Sequence, residues 1–174
     1  MPSQFIARVF DRLRYRLEFI ASAVKWRIMG LNLGRGSILY GNVVLYDASK
    51  VRIGERCAIG SFTVVMGSGG VTIGDDVLIS SHCSIYSVTH ATDALELGLP
   101  YRSTRRMAAV AIGNNVWIGT GVRILPGVTI GDGSIVGAGS VVTKSLPPRI
   151  VAVGAPARII RQLGKGTLET ARVG

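Results

Sequence analysis

Aromatic side chains are scarce in this chain. Phe, Tyr and Trp make up 6% of its 174 residues, although 48% of the residues are hydrophobic. The core must therefore be filled mainly by aliphatic side chains. Cysteine occurs twice, at Cys57 and Cys83, too few for a disulfide scaffold. Histidine also occurs only twice, at His82 and His90. No Cys/His array has the ligand spacing of a zinc site, and no metal is expected. No run approaches the ~20 consecutive apolar residues that a spanning helix needs. The opening stretch MPSQFIARVFDRLRYRLEF is charged throughout. It lacks the apolar segment and small-residue cleavage site of a secretory signal, so the cytoplasm is the expected location. Acidic residues are few, 10 against 20 basic, and the formal net charge is +10. That charge favours nucleic acid, an acidic membrane surface or a phosphorylated small molecule. RNP-like aromatic motifs, Cys/His modules and helix-turn-helix spacing are all missing, so nucleic acid is not an expected partner.

Glycine, by contrast, is abundant at 23 residues, and many of these glycines sit in short, evenly spaced turns. Aliphatic residues recur every six positions in three blocks: Leu33, Leu39, Leu45 and Val51; then Ile53, Ile59 and Val65; then Ile73, Ile79 and Ile85. A fourth block runs Ile112, Ile118, Ile124, Ile130, Val136 and Val142. The phase slips by two residues between Val51 and Ile53 and between Val71 and Ile73, and a long interruption separates Ile85 from Ile112. Four residues after most of these aliphatics stands a small or β-branched residue, among them Ser37, Ser49, Cys57, Thr63, Cys83, Val116, Ser134 and Ser140. A Gly often follows the aliphatic directly, as at Gly54, Gly74, Gly113 and Gly119.

A period of six fits neither an α-helix at 3.6 nor a lone strand at 2. It fits a short strand plus a turn that needs glycine's freedom. Three such units close a triangular coil, and stacked coils bury an aliphatic column along the axis. The pattern predicts an all-β parallel β-helix, a solenoid in which each coil covers its neighbour. Cys57 and Cys83 take the small fifth place of a repeat, where they are expected to be buried apolar residues rather than nucleophiles.

The two ends depart from the repeat. Phe5, Val9, Leu13, Leu17, Val24 and Ile28 lie on one stripe of an amphipathic helix over 5–28. Arg8, Arg12, Arg14, Arg16, Lys25 and Arg27 face Asp11 and Glu18 in number. Such a helix caps the open end of the solenoid. Its basic face also suits contact with an anionic membrane at the inner leaflet. Pro147 and Pro148 are expected to stop the strand ladder, because proline cannot donate to it. The expected division is thus a helix over 1–30, a β-helix over 31–146 with a loop inserted near 87–110, and a C-terminal extension over 147–174.

Each histidine can be weighed alone. His82 lies at the fourth place of a regular repeat and reads as a turn residue. His90 is the only imidazole in the insertion, and insertions that break a strict repeat are where solenoids carry function. Asp93 and Glu96 are its local candidate partners, with Asp93 preferred to hold the imidazole in one tautomer.

The stretches IGNNVWIGTGVRILPGVTIGDGSIVGAGSVVTKSLPP and VGAPARIIR carry a resemblance. Over roughly residues 33 to 160 the chain resembles the hexapeptide-repeat acyltransferases, a group that includes galactoside, maltose and nodulation-factor O-acetyltransferases and many capsule or exopolysaccharide acetyltransferases. The resemblance implies a left-handed coil, acetyl-CoA as cosubstrate, a sugar or glycan acceptor, and a homotrimer with sites at subunit interfaces. It implies His90 as general base, since Thr89–His90 open the long loop ahead of Ile112–Gly119 as the family's catalytic pair does. It implies donor contacts from Trp117, Gly119, Thr120, Ala138, Thr143, Lys144, Arg158 and Arg161. Where relatives carry acceptor-contacting Asn and Asp residues, this chain has Gly60-Ser61-Phe62 and Gly67-Ser68, so the acceptor need not be a galactoside or maltose.

The implied reaction is O-acetylation of a sugar hydroxyl in polysaccharide or glycan biosynthesis. The hydroxyl loses its proton to His90 as it attacks the thioester, and no covalent enzyme intermediate forms. N-acetylation of an amino sugar or antibiotic is the alternative enzyme reading, and a non-catalytic scaffold the alternative outside enzymes. A γ-type carbonic anhydrase on the same solenoid needs three histidine ligands, which two histidines cannot supply.

Overall fold

A computed structural model describes residues 24–164. Short strands wind into a triangular prism with three parallel sheets as its faces. The first face stacks Asn32–Leu33, Val51–Ile53, Val71–Ile73, Val110–Ile112 and Thr129–Ile130. The second stacks Ile38–Leu39, Ala58–Ile59, Leu78–Ile79, Trp117–Ile118, Ile135–Val136 and Ile150–Gly154, with Ala157–Gln162 added antiparallel at its end. The third stacks Val44–Tyr46, Val64–Met66, Ser84–Tyr86, Arg123–Ile124 and Val141–Val142. The chain visits the faces in that order, so the strands of each coil pair with those one coil above and below.

The repeat aliphatics point inward as their period demands. Ile59, Ile79, Ile85, Ile118, Ile124 and Ile130 are at most 1% exposed. Each contributes roughly 1.5–3 kcal/mol by burial, and that sum opposes the ordering cost of so many short strands. The fifth-place hydroxyls are buried too, and each finds a carbonyl: Ser37 donates to Gly54 at 2.6 Å, Ser140 to Gly137 at 2.7 Å and Ser134 to Pro147 at 2.9 Å. No buried side-chain nitrogen or oxygen among the described residues lacks a partner. Cys57 and Cys83 are 1% exposed, and burial pushes both thiols up from their ordinary range.

Register explains the phase slips. Asn32 pairs with Arg52 and Arg52 with Thr72, twenty residues apart, whereas Ala111 pairs with Thr129, eighteen apart. The extra two residues lie in the corner between the third and first faces, as a 3-10 turn over Ala48–Lys50 in one coil and as Gly67–Gly70 in the next. The expectation that Ser49 points inward is corrected here. Ala48 is buried and Ser49 exposed, because this wider corner does not follow the six-residue phase.

Two further expectations change. The ladder does not stop at Pro147 and Pro148. Those prolines turn one corner, and Ile150–Gly154 then adds a full rung to the second face, Ile135 opposite Val151. At the other end, residues 1–23 of the expected helix lie outside the described residues, as do 165–174 at the C-terminus. Residues 24–28 are helical, but Val24 and Ile28 are exposed (51% and 79%) while Trp26 is buried. Trp26 joins Leu31 and Leu33 in the core cluster. Positions four apart share a helix face and the position between them faces away, so plugging the coil with Trp26 turns the Val24–Ile28 stripe outward. No helix among the described residues is long and apolar enough to cross a membrane.

Candidate active site

The corner between the third and first faces is where the chain departs most from its repeat. In the third coil it opens into the 88–109 loop. The base of that loop is closed: the Ala108 N–H donates to the Ser87 carbonyl at 3.0 Å, and Gly69 N–H donates to the Ser87 hydroxyl at 2.9 Å. Val88–His90 then pairs antiparallel with Arg105–Met107, with His90 opposite Arg105, Thr89 opposite Arg106 and Val88 opposite Met107. Residues directly opposite one another project to the same side of a β-ribbon. His90, Arg105, Val88 and Met107 therefore share one side, and Thr89 and Arg106 the other.

The loop has a small interior of its own. Ala91, Ala94 and Thr104 are buried, the Ala91 N–H donates to the Thr104 carbonyl at 2.9 Å, and the Thr104 hydroxyl donates to the Tyr101 carbonyl at 2.8 Å. These contacts hold the hairpin in one shape and leave the His90 side chain exposed at its end. Asp93 does not partner His90. Its carboxylate accepts from Arg106 at 3.0 and 3.3 Å, on the opposite side of the ribbon. Glu96 is exposed.

Arg105 reaches back to the solenoid and donates to the Ser68 hydroxyl at 2.5 Å. Ser68 in turn donates to the Asp47 carboxylate, and the Lys50 ammonium donates to the Ser68 carbonyl at 3.2 Å. Sequence reasoning missed this group. Its only advance signal was Gly67-Ser68, at one of the places where the resemblance implies acceptor-contacting Asn and Asp residues.

The candidate donor residues divide between two sides of the prism. Trp117 is half-exposed on the second face beside Leu78, its partner in register. Thr120 lies in a shallow cleft of about 400 Å³ with Tyr40, Ser61, Leu78, Ser80 and Ser81. Ala138 is exposed one coil on, and Arg158 and Arg161 are exposed on the edge strand that ends this face. Gly119 is buried and presents no surface to a ligand: a Cβ there would stand 2.6 Å from the Ala138 nitrogen. Thr143 and Lys144 lie at the other corner, below the His90 loop. His82 is an exposed turn residue with φ of 61°, its ring stacked on Phe62 at 5.0 Å. Among the described residues no three His, Cys, Asp or Glu side chains converge as a metal site requires.

Residues 50–86 match the family described as hexapeptide repeat of succinyl-transferase, and residues 109–144 match bacterial transferase hexapeptide (six repeats). Nodulation protein L of Rhizobium meliloti is 37% identical over 157 residues, which cover 84% of this chain and 80% of that protein. The chain belongs to the hexapeptide-repeat acyltransferases. With that membership comes the left-handed sense of the coil. Galactoside O-acetyltransferase of Escherichia coli is 44% identical over 117 residues, covering 66% of this chain but 55% of that protein. The chain spans about half the length of the first curated relatives it matches. A hexapeptide-repeat acetyltransferase from Vibrio cholerae superimposes with a TM-score of 0.79 at 30% identity over 88% of both chains. The same Vibrio protein has been solved in complex with acetyl coenzyme A.

Proposed function

We propose that the chain is an acetyl-CoA-dependent O-acetyltransferase acting on a sugar hydroxyl, with His90 as general base. The observation that carries this reading is the hairpin that holds the loop's only imidazole exposed at the edge of a closed, ordered insertion. An imidazole's ordinary pKa suits proton exchange near neutrality. His90 takes the proton of the sugar hydroxyl as that oxygen bonds to the acetyl carbonyl carbon. The tetrahedral oxyanion is held by backbone N–H donors. The C–S bond then breaks, and the proton on His90 passes to the CoA sulfur. Acetyl-CoA supplies the activated acyl group, and neither a metal nor a covalent enzyme intermediate is required.

Two copies are needed to build one site. In a triangular prism the corner bearing His90 lies opposite the second face, which bears Trp117 and at whose border with the third face Thr120 and Ala138 stand in turns. The cleft on that face spans the same coils as the base of the loop. The His90 corner of one protomer, with Thr143 and Lys144, packed against the second face of the next would bring acceptor, base and donor together. A homotrimer closes that heterologous contact into a ring. Trp117, Thr120 and Ala138 would flank the pantetheine arm, while Lys144, Arg158 and Arg161 would face its phosphates. The setting proposed is glycan assembly in the cytoplasm, at the inner face of a membrane.

His90→Ala tests the central role. The variant should keep its fold and its affinity for CoA while transfer falls about 10²- to 10⁴-fold, the usual loss for a general base. Transfer at the wild-type rate would remove His90 from the chemistry.

A further inference from the structure

We infer that the acceptor is an acidic glycan, and that Arg105 receives its oxyanion beside the hydroxyl that His90 deprotonates. This rests on the acyl-transfer reading above and adds the class of acceptor. Arg105 stands directly opposite His90 in the antiparallel pair. Their Cβ atoms therefore lie about 4.5–5.5 Å apart on one side of the ribbon. Whatever oxygen His90 reaches, a charged group one bond or two further along the same sugar ring lies within reach of the guanidinium.

The two arginines of this strand are treated differently. Arg106, on the far side, is neutralised by Asp93 at 3.0 Å. Arg105, on the His90 side, spends an N–H on a neutral hydroxyl, that of Ser68, and no carboxylate among the described residues lies within ion-pair distance of it. A guanidinium carries five donors in a planar fork, so most of its donors remain for a ligand. Ser68 is buried and anchors the fork from behind. The Lys50 ammonium comes to the carbonyl of the same residue at 3.2 Å. Two cations and one carboxylate, Asp47, thus converge on Ser68, at the corner proposed for the acceptor hydroxyl. The excess charge is positive, and a planar fork suits two parallel N–H···O bonds to a carboxylate or phosphate. A neutral sugar in the same place offers the fork only uncharged hydroxyl oxygens, which repay the water lost from Arg105 less well than an oxyanion does, so the corner favours the acidic acceptor.

The test is a comparison of matched acceptors with acetyl-CoA as donor: an oligosaccharide of a uronic acid, its neutral hexose counterpart, and a hexose phosphate. The wild-type protein should prefer an acidic acceptor over the neutral one in kcat/KM, and the preference should shrink as salt rises. A preference for the uronic acid assigns the oxyanion to a carboxylate, and one for the hexose phosphate to a phosphate; both support the inference. Arg105→Gln should shrink the acidic-over-neutral ratio on the order of 10- to 100-fold, through acceptor KM, because a charge-assisted bidentate contact is lost. The KM for acetyl-CoA should move far less. Arg105→Lys should recover only part of the ratio, since an ammonium lacks the fork. Acetylation of the neutral sugar at the best rate, or an Arg105→Gln variant that loses neutral and acidic acceptors alike together with thermal stability, would make Arg105 a strut between loop and solenoid and overturn the inference. That outcome leaves acetyl transfer to sugars standing. Intact CoA binding with no transfer to any of the three sugars overturns the sugar reading itself, and this inference with it.

Discussion

At Gly119 the presence or absence of one carbon decides whether two coils can stack. The residue is buried, and its Cα faces the backbone of Gly137 and Ala138 in the next coil so closely that a Cβ would stand 2.6 Å from nitrogen and 3.0 Å from Cα. Both neighbours are backbone atoms of a hydrogen-bonded rung, Gly119 N–H donating to the Val136 carbonyl at 2.8 Å, so they cannot step aside cheaply. Gly119→Ala should therefore cost about 1–3 kcal/mol, the range for overpacking a tight interior, and thermal unfolding would register it. An unchanged melting temperature would mean that the coils can separate here, and would return Gly119 to the list of possible ligand contacts. The contrast with Ala138 is instructive: it is exposed one coil further on, and a methyl group there meets solvent or a bound donor instead of a rung.

Among the elements, the helical residues 24–28 have two sides with different work. Trp26 points down and seals the first coil, with the Lys25 ammonium lying 4.7 Å over its ring. Val24, Ile28 and Met29 point away with exposures of 51%, 79% and 51%, next to Lys25 and Arg27. Apolar side chains flanked by cations on an outward surface match what an anionic bilayer interface accepts. The intact protein should float with vesicles containing anionic lipid at low salt and release at high salt, since exposed charges are screened within about 8 Å at physiological ionic strength. Flotation that fails at low salt would leave these residues with the capping role alone. The same end of the molecule explains which parts of the fold could be read in advance. The six-residue period was legible because every rung must send an aliphatic residue inward, and Ile59, Ile79 and Ile118 do so in strict register. The two-residue slips were visible but not interpretable, because a 3-10 turn at Ala48–Lys50 and a Gly-Ser-Gly-Gly turn at 67–70 solve one corner with unrelated chemistry. The last rung was hidden by Pro147 and Pro148, which break a ladder only when they stand in it, and here they stand in a corner. His90 was legible as the lone imidazole of the insertion. Arg105 was not, since its place opposite His90 comes from a ribbon pairing inside a segment with no period to follow.

For the molecule as a whole, the proposed sharing of each site between two copies would make activity a property of the assembly. A chain with His90→Ala still offers its second face, and a chain with Thr120 and Ala138 replaced by bulky residues still offers its imidazole. Each variant alone should be inactive. Dissociated and reassembled as an equal mixture, they should regain activity at about one quarter of the sites, because random neighbours in a cyclic assembly supply two intact halves that often. A mixture as inactive as its components would mean that each chain completes its own site, and would return Trp117 and Thr120 to a structural role.

The closure of the loop at its base, where the Ala108 N–H meets the Ser87 carbonyl, has a consequence for descent. The rungs from Val71–Ile73 to Val110–Ile112 are continuous across that junction, so everything between its two ends hangs outside the stacking that keeps the prism intact. Apart from His90, Arg105 and the buried Ala91, Ala94 and Thr104 that hold the hairpin, positions there are free of the stacking demands that hold Ile79 or Gly119 in place. On the proposed reading, the part of the chain that would choose the acceptor can vary in length and sequence while the part that would grip the cosubstrate is held by its rungs.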